Sequence, residues 1–171
     1  LKNLEINLDK ALKSLGNMYD DEVRAREQLD EIQMFLKQCK VKMRSYKLPV
    51  ITDNYFVQLS EANEAIIEVI KELERKPIVI KVLNTRVDTA RDLVLKLYNT
   101  TNDMIRMAQC AEIAIVYGNR YRIYEEVSAG LDDAKKRFYA GDYRKALDIS
   151  IKSIEVVDSD ISRKLFNNEG Y

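Results

Sequence analysis

Apolar residues recur in alternating three- and four-residue steps from the first residue. The positions are Leu1, Leu4, Leu8, Ala11, Leu15, Met18, Glu22, Ala25, Leu29, Ile32, Leu36, Cys39, Met43 and Tyr46. Only Glu22 breaks the stripe. This spacing predicts one long helix over about 1–46, with an apolar seam of the kind that packs in a coiled coil or narrow bundle. Gly16 weakens it by about 1 kcal/mol relative to Ala. The basic run Lys37, Lys40, Lys42, Arg44 and Lys47 suits the negative pole of a helix C-terminus, and Leu48-Pro49 stops the helix.

Four further helices follow from the same reading. Thr52 or Asp53 is a good N-cap for a second helix to about Arg75, with Tyr55, Leu59, Ala62, Ile66, Val69 and Leu73 on one face. Pro77 punctuates it. Ile78-Val79-Ile80 has no second strand to pair with and reads as an extended lead-in. A third helix over about 80–124 has the seam Leu83, Val87, Ala90, Val94, Leu97, Thr101, Met104, Ala108, Ala111, Ile115 and Gly118. Large residues line its first half and small ones its second, where a neighbouring helix can come close.

The fourth helix, about 125–140, opens on Glu125-Glu126 and closes on Lys135, Lys136 and Arg137, both matched to the helix dipole. Its seam is Val127, Leu131, Ala134 and Phe138. Gly141 fits a C′ position and Asp142 a following N-cap. The fifth helix, about 143–157, turns Tyr143, Ala146, Leu147, Ile151 and Ile154 inward. Asn167 to Tyr171 reads as a frayed tail.

Length sets the architecture. At 1.5 Å per residue the helices measure about 69, 35, 67, 24 and 24 Å. Short connections make successive helices antiparallel neighbours. The second therefore covers only the C-terminal half of the first, and the end of the third is left to the last two. The expected fold is all-α, an elongated array of two overlapping antiparallel three-helix bundles sharing the third helix, divided at about 1–100 and 101–171. One consequence is that Leu1, Leu4, Leu8, Leu15 and Met18 lack a partner inside the chain. They are expected to pack on an upstream segment or on a second copy.

Composition narrows the chemistry. The 171 residues include 28 bases, 28 acids, 2 Cys, 5 Gly and 2 Pro, with no His and no Trp. Without His there is no Ser-His-Asp or Cys-His catalysis and no imidazole metal ligand. Zero net charge argues against an electrostatic grip on nucleic acid. Cys39 and Cys110 are too few for a zinc knuckle and fit small core residues in a reducing compartment. No apolar run approaches the length of a membrane span, and no signal peptide opens the chain. The start at Leu1 rather than Met leads us to expect a fragment or processed product. No phosphate loop or nucleophile elbow is present, so no enzyme and no cofactor are expected.

The most unusual stretch is Tyr117-Gly118-Asn119-Arg120-Tyr121-Arg122. On a continuing helix, Ile113, Tyr117, Arg120 and Tyr124 share one face, while Ile115, Asn119 and Arg122 share another. Tyr and Arg are enriched at binding hot spots, and a mid-helix Gly implies close packing or a bend. A structural role fits the same residues: two tyrosines at the core edge, with arginines paired to Glu112, Glu125 or Glu126. Asp158 and Asp160 lack the Gly and distal Glu of a calcium loop. The basic run at 37–47 is compatible with anionic lipid, an acidic partner or a solvated helix end.

Four features together resemble the EzrA family, regulators of septation ring formation in Gram-positive bacteria. They are Lys47-Leu48-Pro49 with Tyr55 after it, Lys76-Pro77-Ile78 leading to Leu97-Tyr98-Asn99, the Tyr117–Arg122 stretch, and Phe138 through the Gly141-Asp142-Tyr143 turn to Ala146-Leu147. The resemblance covers nearly the whole chain. It implies spectrin-like helical repeats in a cytoplasmic rod at the inner membrane face of the division septum, tethered by an N-terminal transmembrane helix not found in this sequence. It also implies binding to FtsZ, restraint of FtsZ ring assembly, and contacts with other division and wall-synthesis proteins. The family's midcell-placement motif, Gln-x-x-Asn-Arg, maps onto Val116, Asn119 and Arg120, with Tyr121 and Arg122 closing it. Val116 stands where the family has Gln. Outside this family, Gly141 to Ile154 is similar to a tetratricopeptide helix, which leaves a generic helical adaptor as the alternative. The repeat of about 34 residues that such an array needs is not found.

Overall fold

The structure is a computed structural model, described over residues 2–166; Leu1 and the 167–171 tail lie outside it. It is all-helical, with no strand among the described residues. The elements are α1 (Lys2–Ser45), α2 (Asp53–Glu74), α3 (Ile80–Gly118), a 3-10 turn (Asn119–Tyr121), α4 (Glu125–Tyr139), α5 (Tyr143–Glu155) and α6 (Ile161–Phe166). The described residues divide into two compact units. One comprises 2–41 and 54–98, the other 42–53 and 99–166.

In the first unit the seam of α1 is buried from Ala25 through Cys39 at every expected position. The same unit buries Tyr55, Ala62, Ile66, Val69 and Leu73 of α2, and Leu83, Val87, Ala90, Val94 and Leu97 of α3. Periodicity missed two buried polar residues of α2, Gln58 and Glu72. Glu72 is 1% exposed. Its Oε1 accepts the Val79 N–H at 3.1 Å, and its Oε2 lies 3.6 Å from Arg86 Nη1 and 3.7 Å from Arg75 Nη1. That carboxylate binds the end of α2 to the lead-in of α3. Upstream, Leu4, Leu8, Leu12, Leu15 and Met18 are exposed, Leu4 at 72%.

In the second unit, Ala108, Ala111, Ala114 and Gly118 of α3 are all buried, as their small size allows. The same unit buries Val127, Leu131, Ala134, Ala146, Ile154 and Ile161, and Gly118 lies against Leu131 and Ile154. The α3 seam departs from the heptad reading here. Ile105 and Ala114 are buried, whereas Met104 and Ile115 are only half-buried. A straight helix of 3.6 residues per turn drifts about 20° per heptad from a strict 3.5 repeat. Here no net drift accumulates: Leu97, Thr101 and Ile105 make two four-residue steps in succession, Ala108, Ala111 and Ala114 follow at three-residue steps, and the buried line rejoins the heptad at Gly118.

Two expected boundaries are corrected. The third helix stops at Gly118, not at about 124. The chain tightens into the 3-10 turn and then extends at Tyr124, with φ −88° and ψ 121°. Arg120 helps to end the helix, its Nε donating to the Tyr117 carbonyl at 3.2 Å, one of the acceptors a helix C-terminus leaves unpaired. The stretch after Glu155 holds a further helix, α6. Asp158 sits before it, accepting from Asp160 N–H at 3.3 Å, and its backbone carbonyl accepts from Ile161 N–H at 3.2 Å. These aspartates start a helix, where negative charge is favourable. Six residues are too few to show a period, and docking of buried Ile161 holds the element in place.

Candidate functional site

The Tyr117–Arg122 stretch lies where α3 gives way to the 3-10 turn, so its side chains leave a turning backbone rather than one helical face. Two of the expected neighbour pairs persist through the tighter turn, Tyr117 with Arg120 and Asn119 with Arg122, whereas Tyr124 lies beyond it on extended backbone. The structure separates the six residues by what they touch.

Gly118 is buried, and a Cβ added there would lie 2.9 Å from Ile154 Cδ1 and 2.9 Å from both methyls of Leu131. It allows α3 to approach α4 and α5. Tyr117 and Tyr121 are half-buried and pack on the cluster of Val127, Leu131, Ile154 and Ile161. Their rings lie 6.1 Å apart and tilted by 54°. The Tyr121 hydroxyl donates to Asp158 Oδ2 at 3.0 Å, and Lys164 Nζ donates to the same oxygen at 2.7 Å. The Tyr121 phenol is pushed up to about 12, first by its hydrogen bond with Tyr117, then by burial, then by Asp158. The Lys164 ammonium holds the Asp158 carboxyl below its ordinary range and is itself raised by it. Tyr121 thus anchors the turn to the start of α6.

Arg122 is the second anchor. Its Nε donates to Asn119 Oδ1 at 2.8 Å, and its Nη1 reaches Asp132 Oδ1 at 2.9 Å and Ser128 Oγ at 3.3 Å. Its partner is Asp132 of α4, not Glu112, Glu125 or Glu126. Sequence separation hid this pair, which exists only because α4 folds back past the turn.

Arg120 is different. It is exposed, and its guanidinium lies 3.7 Å from the centre of the Tyr117 ring. Stacking on a ring that is itself held in the core fixes the cation without neutralising it. Close to it in sequence are exposed apolar side chains that pattern reading did not single out as a group: Val116 at 63%, Ile123 at 89%, and Tyr124. On a continuing helix Val116, Arg120, Ile123 and Tyr124 would fall at three- and four-residue spacing on one face, and all four are exposed in the structure. A cleft of about 690 Å³ runs alongside, lined in part by Ile113, Val116, Tyr117, Leu165 and Phe166. No cluster among the described residues is arranged to hold a metal ion. The site offers one fixed cation, apolar surface and hydrogen-bonding groups, which suits contact with another macromolecule.

Comparison with known proteins supplies the context. The family model described as "Septation ring formation regulator, EzrA" matches residues 1–169. A septation ring formation regulator EzrA of Geobacillus sp. (strain WCH70) is 34% identical over 135 residues, or 78% of this chain and 24% of that protein. The protein of that name from Bacillus pumilus (strain SAFR-032) is 28% identical over 152 residues, covering 88% and 27%. That of Listeria monocytogenes serotype 4a (strain HCC23) is 27% identical over 159 residues, covering 92% and 28%. The chain spans about a quarter of the length of these curated relatives. No solved structure matches.

Proposed function

The chain belongs to the EzrA family of septation ring formation regulators, and from that premise we propose that it is a partner-binding part of a bacterial cell-division regulator. Its partners are FtsZ and other septal or wall-synthesis proteins, and its effect is to restrain FtsZ ring assembly. It acts in the cytoplasm at the inner membrane face of the septum, with attachment supplied by a transmembrane helix elsewhere in the parent. Among the described residues no helix is long and apolar enough to cross a membrane. The mechanism is contact rather than chemistry.

The scaffold we propose is two spectrin-like three-helix bundles sharing α3, falling at about residues 1–100 and 101–171. The division of the described residues into two units, with α3 contributing to both, supports it. The exposed leucines at the start of α1 then serve to pack on an upstream repeat or on a second copy.

The observation that carries the functional reading is the state of Arg120. Gly118, Tyr121 and Arg122 are engaged in packing and hydrogen bonds, and the charge they hold outward is that of Arg120. It can form charge-assisted bonds with an acidic segment of a partner. We expect Arg120→Ala in the full-length parent to lose midcell placement while the protein stays folded. Fluorescence microscopy of a tagged copy and circular dichroism of the purified chain read the two effects. A folded Arg120→Ala protein that reaches midcell as the wild type does would overturn the assignment.

A further inference from the structure

At one end of the second unit the fold joins two stretches 93 residues apart in sequence. The Tyr143 hydroxyl accepts the Val50 N–H at 3.1 Å and donates to the Val50 carbonyl at 2.5 Å. Val50 also covers Gly141, whose φ of +88° makes the α4–α5 turn; a Cβ there would stand 2.9 Å from Val50 Cγ1. The turn that follows α1 therefore lies against the turn between α4 and α5.

Both turns are basic. Residues 42–53 and 135–145 hold eight Lys and Arg against two acids, Asp53 and Asp142, in a chain whose formal net charge is zero. Asp142 is engaged as the cap of α5 and by Lys145 at 3.6 Å. Arg137 faces Asp133 at 3.9 Å, and Lys42 donates to Asn102. Arg44, Lys47, Lys135, Lys136 and Arg144 are exposed and have no ion pair among the described residues. Tyr46, Val50 and Tyr139 are exposed beside them.

We propose that this end of the unit binds a membrane surface rich in anionic lipid headgroups. Three of the five unpaired cations are Lys, a point charge suited to a diffuse negative surface rather than to paired recognition of single carboxylates. Exposed tyrosines among lysines match the amphipathic side chains that settle at headgroup depth. The charge arises from the ends of three helices, which only the fold brings to one place. This surface is separate from the Arg120 site and stands or falls without it.

The test is co-sedimentation of the 171-residue chain with vesicles. Binding is expected to mixed phosphatidylglycerol–phosphatidylcholine vesicles, to be absent with phosphatidylcholine alone, and to be lost at about 0.5 M salt, where charges are screened within a few ångströms. The triple variant Lys47→Gln/Lys136→Gln/Arg144→Gln should weaken partitioning on the order of 100-fold, at about fivefold per cation. A charge-matched control, Lys10→Gln/Lys13→Gln/Lys81→Gln, should bind as the wild type does, with circular dichroism confirming that both variants fold. No preference for phosphatidylglycerol, or equal loss in both variants, overturns the proposal. So does displacement from vesicles by soluble polyglutamate at matched charge, which assigns the surface to an acidic protein instead.

Discussion

Gly130 offers a direct test of how closely α4 and α5 pack. In an open helix position, replacing Gly by Ala stabilises by about 1 kcal/mol. Here a Cβ would stand 1.9 Å from Ser153 Oγ and 2.7 Å from Ser153 Cβ. The hydroxyl can rotate away only by giving up its bond to the Ile149 carbonyl, 2.7 Å long, at a cost of about 1 kcal/mol. The Ser153 Cβ cannot rotate away, and carbon atoms pack at about 3.5–4.0 Å, so the two helices must separate by roughly 1 Å. Overpacking of that kind costs about 1–3 kcal/mol. Set against the propensity gain, Gly130→Ala should destabilise by about 2 kcal/mol. For a chain of this size that lowers Tm by about 4–8 °C. Ser153→Gly alone should cost about 0.5 kcal/mol in propensity. In the double variant the new methyl meets only the Ser153 Cα position, 3.9 Å away, an ordinary contact. Stability should then return close to wild type, giving a coupling of about 2 kcal/mol. Calorimetry of the four proteins completes the cycle. A Gly130→Ala protein more stable than wild type, or a double variant that loses the sum of the singles, would refute the close approach.

Other consequences can be checked alongside it. Arg122→Ala and Asp132→Ala should each cost up to about 1 kcal/mol, and together little more than either alone, because both remove the same half-exposed pair; additive losses in urea denaturation would contradict this. Glu72→Ala should cost about 1–3 kcal/mol and Glu72→Gln less, since the amide retains an acceptor for the Val79 N–H; equal costs would show that this hydrogen bond contributes nothing. Tyr121 has its phenol raised from 10.0 to about 12. Its contribution to stability is therefore complete below pH 10 and lost as pH rises towards 12. Ultraviolet difference titration of wild type against Tyr121→Phe should place the missing ionisation near pH 12, and one near pH 10 would refute the buried hydrogen bonding. Asp158 has the opposite sign: its lowered carboxyl supports the fold above pH 3.8, and that support fades as pH falls further. Asp158→Asn should flatten stability in that acidic range.

Much of this protein is determined locally. The seam from Ala25 to Met43, the faces of α2, α4 and α5, and the stops at Pro49, Pro77 and Gly141 follow from side-chain spacing and backbone restriction, which act within a few residues. Tertiary structure decided what depends on residues far apart. Ile105 rather than Met104 is buried just after α3 leaves the first unit for the second, where the residues it packs on are supplied by other parts of the chain. α6 forms where Ile161 and the Tyr121–Asp158–Lys164 contacts hold six residues that have little tendency to be helical alone. The unusual motif was visible in the sequence, but its division was not. Tyr121 and Arg122 are held by Asp158, in the connection before α6, and by Asp132 of α4, while Arg120 finds its ring three residues away and remains free to face a partner. Local periodicity encodes which side of a helix is apolar; which polar groups remain unpaired is settled only when the helices meet.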